Sequence, residues 1–107
     1  MKESKVYIEQ MLDAVAKIRS FVGVMSKEEF FQDQKTQSAV IMQLALIGEI
    51  AKKISEETKK NIDLPWRDIV GFRDRAIHDY YQVDLEIVWS TIISDLALLE
   101  EKLRKDC

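Results

Sequence analysis

The sequence has few of the residues that break helices or cross-link a chain. Its 107 residues include one proline, three glycines and one cysteine. So little glycine and proline disfavours a fold with many tight turns and favours long helices. The single cysteine, Cys107, excludes an intrachain disulfide and a cysteine-rich metal site. Such cysteine usage is typical of proteins in a reducing compartment.

Long apolar runs and an excess of positive charge are also missing. No apolar stretch approaches the ~18 residues that a membrane-spanning helix needs. The opening segment MKESKVYIEQ lacks the apolar centre of a signal peptide. We therefore expect a cytoplasmic protein with no membrane partner. The formal net charge of -3 argues against a broad nucleic-acid-binding surface, although it leaves room for one local basic cleft.

Hydrophobic and charged residues are abundant and predict one globular domain over residues 1–107. They make up 47% and 33% of the chain, as in soluble folded proteins. Apolar residues recur every three or four positions in segments that we expect to form four main helices. The first covers about residues 4–22 and the second about 33–58. The third runs from Pro65 to about residues 79–83, and the fourth begins near Asp84.

These helices, joined by short connections, predict an all-α antiparallel bundle. The segment SKEE at residues 26–29 matches a capping box and predicts a short extra helix. The second long helix is apolar on most sides, so several neighbours, or one bundle and a partner chain, must bury it. In the third helix, the residues expected to face inward are Trp66, Ile69, Val70, Ala76 and Ile77.

The segment FRDRAIHDYYQVD, residues 72–84, contains the only histidine of the chain. Arg73 precedes His78 by five positions, which is about 140° of rotation on an ideal helix. The two side chains therefore face different ways unless the helix ends at His78 and the imidazole turns back. Asp74 precedes His78 by four positions and shares its helical face.

A purely structural interpretation of this segment stays open on spacing alone. A histidine near a helix C-terminus can simply complement the helix dipole. Tyr80 and Tyr81 can be half-buried packing residues, and Arg75 and Asp79 can form an exposed ion pair.

Outside the segment, Glu49 lies on the narrow polar side of its helix. There it either is solvated or pairs with another helix, or it lines a dimer cleft. The lysines at 52, 53, 59 and 60 form a solvated face or guide RNA.

Several motifs occur in an order that is more specific than any of them alone. Arg73, His78 and Tyr80 fit the pattern R-x4-H-x-Y. Around it stand EEFFQD (28–33), IGEIAKKIS (47–55), the LPW that begins at Leu64, and EIVW (86–89). With this set, over essentially its whole length, the chain resembles HEPN-domain proteins. It is most similar to the toxins of the HEPN/minimal-nucleotidyltransferase toxin–antitoxin systems.

The resemblance implies a homodimeric all-α endoribonuclease that needs no metal ion or cofactor. Arg73 and His78 would be its catalytic pair, and Asp74 would occupy the polar position that follows the arginine. A cognate minimal nucleotidyltransferase antitoxin would silence the toxin by adding AMP to Tyr80. Only the motif distinguishes Tyr80 from its neighbour Tyr81 at this stage.

The chemistry of RNA cleavage agrees with these residue types. Without a metal, the 2′-hydroxyl needs a base, the leaving 5′-oxygen needs an acid, and the phosphate needs positive charge. Histidine, with a pKa near ~6.5, suits both proton transfers, and arginine binds phosphate oxygens with a planar fork. One chain supplies one histidine, whereas a two-fold dimer supplies two. The alternatives are a non-catalytic HEPN subunit that binds nucleotide or RNA and partners a nucleotidyltransferase, or an orphan helical interaction protein.

Overall fold

The computed structural model describes residues 2–105, and the side chains of residues 4–105. The α-helices of this part are α1 (Lys2–Val22), α2 (Lys27–Gln32), α3 (Gln34–Ala51), α4 (Glu56–Asn61), α5 (Trp66–His78), α6 (Leu85–Ser90) and α7 (Leu96–Lys105). A 3-10 turn follows α5, and a π-helical segment joins α6 to α7. Residues 2–105 contain no strand, so the predicted all-α class is confirmed.

Helix α3 is the centre of the bundle. It packs against α1 on one side and against α5 on the other, and α7 closes the bundle against α1. Its buried residues lie on one broad side of the helix: Val40, Ile41, Leu44, Ala45, Ile47, Gly48 and Ala51. The opposite side of α3 is less covered, since Met42 and Leu46 are 55% and 41% exposed.

The prediction of one continuous helix to residue 58 was wrong, because α3 ends at Ala51 and a separate helix, α4, follows. Ser55 is the N-cap of α4, and its hydroxyl accepts a hydrogen bond from the Thr58 backbone N–H at 3.1 Å. The turn between the helices places Ile54 in the core, where only 3% of it is exposed. Burial of Ile54 and the new cap therefore offset the loss of helical continuity.

The predicted end of the third helix and the predicted start of the fourth are closer to the structure. Helix α5 ends at His78, and the Asp84 carboxylate caps α6 by accepting a hydrogen bond from Glu86 N–H at 2.8 Å. The buried stripe of the last helical run contains Val88, Leu96, Leu99 and Leu103. The π-helical segment Thr91–Asp95, which has wider turns than an α-helix, lies within this run.

One predicted inward-facing residue of α5 is exposed. Ile77 is 54% exposed because it follows the buried Ala76 by one residue, about 100° around the helix, and so faces away from the core. Ala76 is buried, while the other predicted residues are half-buried against the core. The predicted capping box of α2 is present, with Ser26 and Glu29 hydrogen-bonded reciprocally. No helix within residues 2–105 is long and apolar enough to cross a membrane.

Candidate active site

The geometry of the candidate site begins with a close approach of α3 and α5. A Cβ atom placed on Gly48 would lie 2.5 Å from the Cβ of Arg73 and 2.7 Å from the backbone oxygen of Ile69. Both distances are too short for real contacts, so only glycine permits this helix crossing. As a result, the side chain of Arg73 lies directly over the C-terminal half of α3.

The Arg73 guanidinium is held by two carboxylates. Its Nη1 donates a hydrogen bond to Asp74 Oδ1 at 3.0 Å, and its Nη2 lies 3.4 Å from Glu49 Oε1. Asp74 also accepts a hydrogen bond from Lys52 Nζ at 3.3 Å. Two cations and two anions thus form the Arg73 cluster, defined as Arg73, Asp74, Glu49 and Lys52. Only 23% of the arginine side chain is exposed.

Electrostatics keep the Asp74 carboxylate ionised. The hydrogen bond from Arg73, followed by the one from Lys52, lowers the pKa of Asp74 below its ordinary value. Because both partners favour the charged form, Asp74 is an anion throughout the neutral range. It therefore acts as a fixed acceptor for the guanidinium, and it cannot serve as a proton donor near pH 7.

His78 is the last residue of α5 and its side chain is exposed. The helix closes with a hydrogen bond from Asp79 N–H to the Arg75 carbonyl at 2.8 Å. Within the described part of the chain, no hydrogen bond or ion pair involves the imidazole. Asp74 engages Arg73 and Lys52 instead of His78, and Arg73 makes no such contact with His78 either. The ring is consequently free to meet a group from outside its own chain.

The two tyrosines lie in the 3-10 turn Tyr80–Gln82 and differ in their surroundings. The Tyr80 hydroxyl is 2.8 Å from Ser38 Oγ, near the start of α3. Tyr80 is 42% exposed and Tyr81 is 94% exposed, with their rings edge to face at 5.7 Å. Ser38 precedes Gly48 by ten residues, about 15 Å along the helix at ~1.5 Å per residue. Tyr80 therefore lies at the opposite end of the site from the Arg73 cluster.

The structure brings some of the predicted residues together and keeps others apart. Arg73 and Asp74 stand together at one end, Tyr80 stands at the other, and His78 lies between them in sequence on the last turn of α5. Sequence reasoning missed Ser38 and left Glu49 undecided, although the glycine before Glu49 is a signal for close helix packing. Within the described residues, no three His, Cys, Asp or Glu side chains are placed to hold a metal ion.

Comparison with known proteins places the sequence of this chain in a family. The model of the family described as "Ribonuclease HepT-like" matches residues 11–105. A protein of Thermococcus cleftensis named probable ribonuclease HepT is 40% identical over 98% of this chain and 100% of its own length.

More distant relatives agree with this match. A protein of Caldanaerobacter subterraneus subsp. tengcongensis named as a candidate RNase is 32% identical, over 98% of this chain and 95% of its own. A Methanocaldococcus jannaschii protein with the same kind of name is also 32% identical, over 96% of this chain and 89% of its own. Solved structures give no significant match. With the family model and full-length relatives in agreement, the chain belongs to the HepT-like ribonuclease family.

Proposed function

We propose that the protein is a metal-independent endoribonuclease toxin that works as a homodimer and is controlled by a nucleotidyltransferase antitoxin. The observation that carries the proposal is the placement of Arg73 and His78 on the last two turns of α5, in a member of the HepT-like ribonuclease family. Arg73 is held in place by two carboxylates, and His78 is exposed without a partner among the described residues. One residue is organised to bind phosphate, and the other is available for proton transfer.

The proposed reaction is an internal transesterification. A neutral His78 imidazole takes the proton of the 2′-hydroxyl, whose oxygen attacks the adjacent phosphorus. The bond from phosphorus to the 5′-oxygen breaks, and a protonated imidazole returns a proton to that oxygen. The products are a 2′,3′-cyclic phosphate and a 5′-hydroxyl. Arg73 stabilises the extra negative charge on the phosphate oxygens in the transition state.

A dimer supplies the second histidine that this reaction uses. Each chain contains one histidine, His78, and Asp74 is ionised and therefore cannot donate a proton at neutral pH. A two-fold axis near the end of α5 would bring two imidazoles, one neutral and one protonated, to one cleft. Asp74 contributes by holding Arg73 within each chain.

Cleavage of end-labelled RNA in the presence of EDTA tests the proposal. Wild-type protein is expected to cut RNA and leave cyclic phosphate ends, with no loss of rate on chelation. His78→Ala and Arg73→Ala are each expected to reduce the rate by about 10²-fold or more. Arg67→Ala is the matched control, because Arg67 is exposed on the same helix.

A different outcome favours the alternative function. Folded wild-type protein that binds a nucleotidyltransferase and RNA but leaves RNA intact would indicate a non-catalytic HEPN subunit. Cleavage that persists in folded His78→Ala protein would contradict the proposed chemistry. Circular dichroism of each variant separates loss of fold from loss of activity.

Silencing is proposed to occur by AMP transfer to Tyr80. The tyrosine oxygen would attack the α-phosphorus of ATP on the nucleotidyltransferase, forming an O–P bond as pyrophosphate leaves and the hydroxyl proton is lost. Tyr80 follows His78 by two residues, and its hydroxyl is at the surface beside Ser38. A bulky anion there would exclude an RNA phosphate by volume and by charge repulsion.

The choice of tyrosine is tested by mass spectrometry after incubation with ATP and the cognate transferase. Wild-type protein and Tyr81→Phe are expected to gain one AMP group, and Tyr80→Phe is expected to gain none. Modification of Tyr80→Phe to the wild-type extent would contradict the assignment. Tyr81→Phe is the matched control because it removes the adjacent and more exposed hydroxyl.

A further inference from the structure

We propose that Glu49 is a positioning residue for Arg73: it orients the guanidinium so that the remaining N–H groups face the substrate phosphate. Its effect on catalysis rests on the ribonuclease function proposed above, whereas its effect on the arginine does not. The evidence lies in three features of the described structure, namely the ion pair between the two residues, the burial of one carboxylate oxygen, and the close helix approach at Gly48.

The first two features concern the Glu49 carboxylate. Its Oε1 atom lies 3.4 Å from Arg73 Nη2 and is enclosed by protein, although 38% of the side chain is exposed. Among the described residues this oxygen has a charged neighbour but no aligned hydrogen-bond donor. A buried carboxylate oxygen without a hydrogen bond costs free energy, so it calls for an explanation. A small rotation of the guanidinium toward Oε1 would supply the missing hydrogen bond.

The third feature fixes the distance between the two residues. Glu49 follows Gly48, and Gly48 is the point where α3 meets the backbone of α5. The helix crossing thus sets where the carboxylate stands relative to Arg73, with little freedom left in either backbone. An ordinary surface ion pair has no such constraint and contributes little to stability. The contact therefore has its main value in the position of the guanidinium.

Each of the two carboxylates lies next to a different nitrogen of the guanidinium. Asp74 takes a hydrogen bond from Nη1, and Glu49 faces Nη2 from the α3 side. Arginine has five N–H groups, so the N–H of Nε and a second N–H on each Nη atom remain for a phosphate. Holding the plane from two sides limits its rotation before substrate arrives. Such preorganisation raises the rate of the chemical step more than it raises affinity.

Nitrogen-15 NMR of the full chain tests the effect on the arginine directly. The protein has five arginines, and Arg73→Lys identifies the signals of the one concerned. We expect slow rotation of the Arg73 guanidinium in wild-type protein and at least ~fivefold faster rotation in Glu49→Gln, because the charge that restrains Nη2 is lost. The matched control is Glu101→Gln, which removes an exposed ion pair with Lys105 of 3.7 Å on α7.

RNA cleavage tests the catalytic consequence. Glu49→Gln is expected to lower kcat by about 10- to 100-fold while KM changes less than ~threefold, as a misplaced catalytic group does. In an Arg73→Ala background the same substitution is expected to have no further effect, because Glu49 acts through the arginine. Glu101→Gln should leave both constants unchanged. A merely structural role would instead give additive losses in the double variant.

The outcomes separate this proposal from the proposed function. If Glu49→Gln leaves Arg73 rotation unchanged, the positioning role is wrong whether or not the protein cleaves RNA. If wild-type protein cleaves no RNA but Arg73 rotation accelerates in Glu49→Gln, the ribonuclease proposal fails and the restraint on Arg73 stands. Glu49→Asp, which keeps the charge, gives a second variant should Glu49→Gln not fold. It is expected to restrain the guanidinium more than Glu49→Gln does.

Discussion

At the crossing of α3 and α5, Gly48 has no side chain and the two backbones approach closely. The atoms that a new Cβ would meet are the Cβ of Arg73 and a backbone oxygen of α5, which cannot move as the tip of a flexible side chain can. Gly71, in the middle of α5, is different. A Cβ there would meet only Arg75 Nη1, at an ordinary 3.8 Å. Gly48 is therefore needed for the close approach of the two helices, whereas there is room for a side chain at Gly71.

Alanine at these two positions gives a matched comparison. Gly48→Ala is expected to destabilise the fold by about 1–3 kcal/mol and to lower RNA cleavage, because α5 must shift with Arg73 on it. Gly71→Ala is expected to stabilise the fold by about 0.5–1 kcal/mol, since alanine costs less backbone entropy in a helix. Urea unfolding of both variants measures the difference. Equal stabilities for Gly48→Ala and wild type would contradict the close approach.

The helices differ in how well their ends could be predicted from the sequence. Those around the site at the end of α5 could be predicted, whereas the break between α3 and α4 could not. The ends of α5 and α6 could be predicted because Asp84 is a good N-cap and lies just after the histidine segment. The end of α3 could not, because residues 52–57 include good helix formers and neither glycine nor proline. The break depends on burial of Ile54 against other helices, which is a tertiary effect.

The N-cap of α4 makes this testable at the level of the element. Ser55 caps α4, and its hydroxyl also donates to Thr58 Oγ1 at 3.0 Å, which in turn donates to Ser4 Oγ of α1 at 3.1 Å. Ser55→Ala is expected to cost about 1–2 kcal/mol, because it leaves the Thr58 N–H unpaired and removes the hydrogen bond to the Thr58 hydroxyl. Ser20→Ala, at an exposed position of α1, is the control and should change stability by less than ~0.5 kcal/mol. Thermal unfolding measures both, and a loss as small as the control's would contradict the cap.

On the scale of the whole molecule, the all-α bundle follows from patterning, but the relation between its helices does not. The apolar stripes and the shortage of glycine and proline predict the class of fold. The pairing of Arg73 with Glu49 could not be predicted, since the two residues are far apart in sequence and meet only because α3 and α5 cross at Gly48. The same limit applies between chains. A sequence with one histidine predicts that the reaction needs a second chain, but it does not predict how the two chains pack against each other.

Mixed dimers that contain one wild-type chain and one His78→Ala chain are the most direct test of a ribonuclease site shared by two chains. Such dimers can be isolated with two different affinity tags and compared with both parent dimers in RNA cleavage with EDTA present. If one imidazole acts as base and the other as acid, the mixed dimer is expected to lose nearly as much activity as the dimer in which both chains carry His78→Ala. A mixed dimer with half or more of the wild-type rate would show that each chain cleaves RNA with its own histidine alone, and would contradict the shared site.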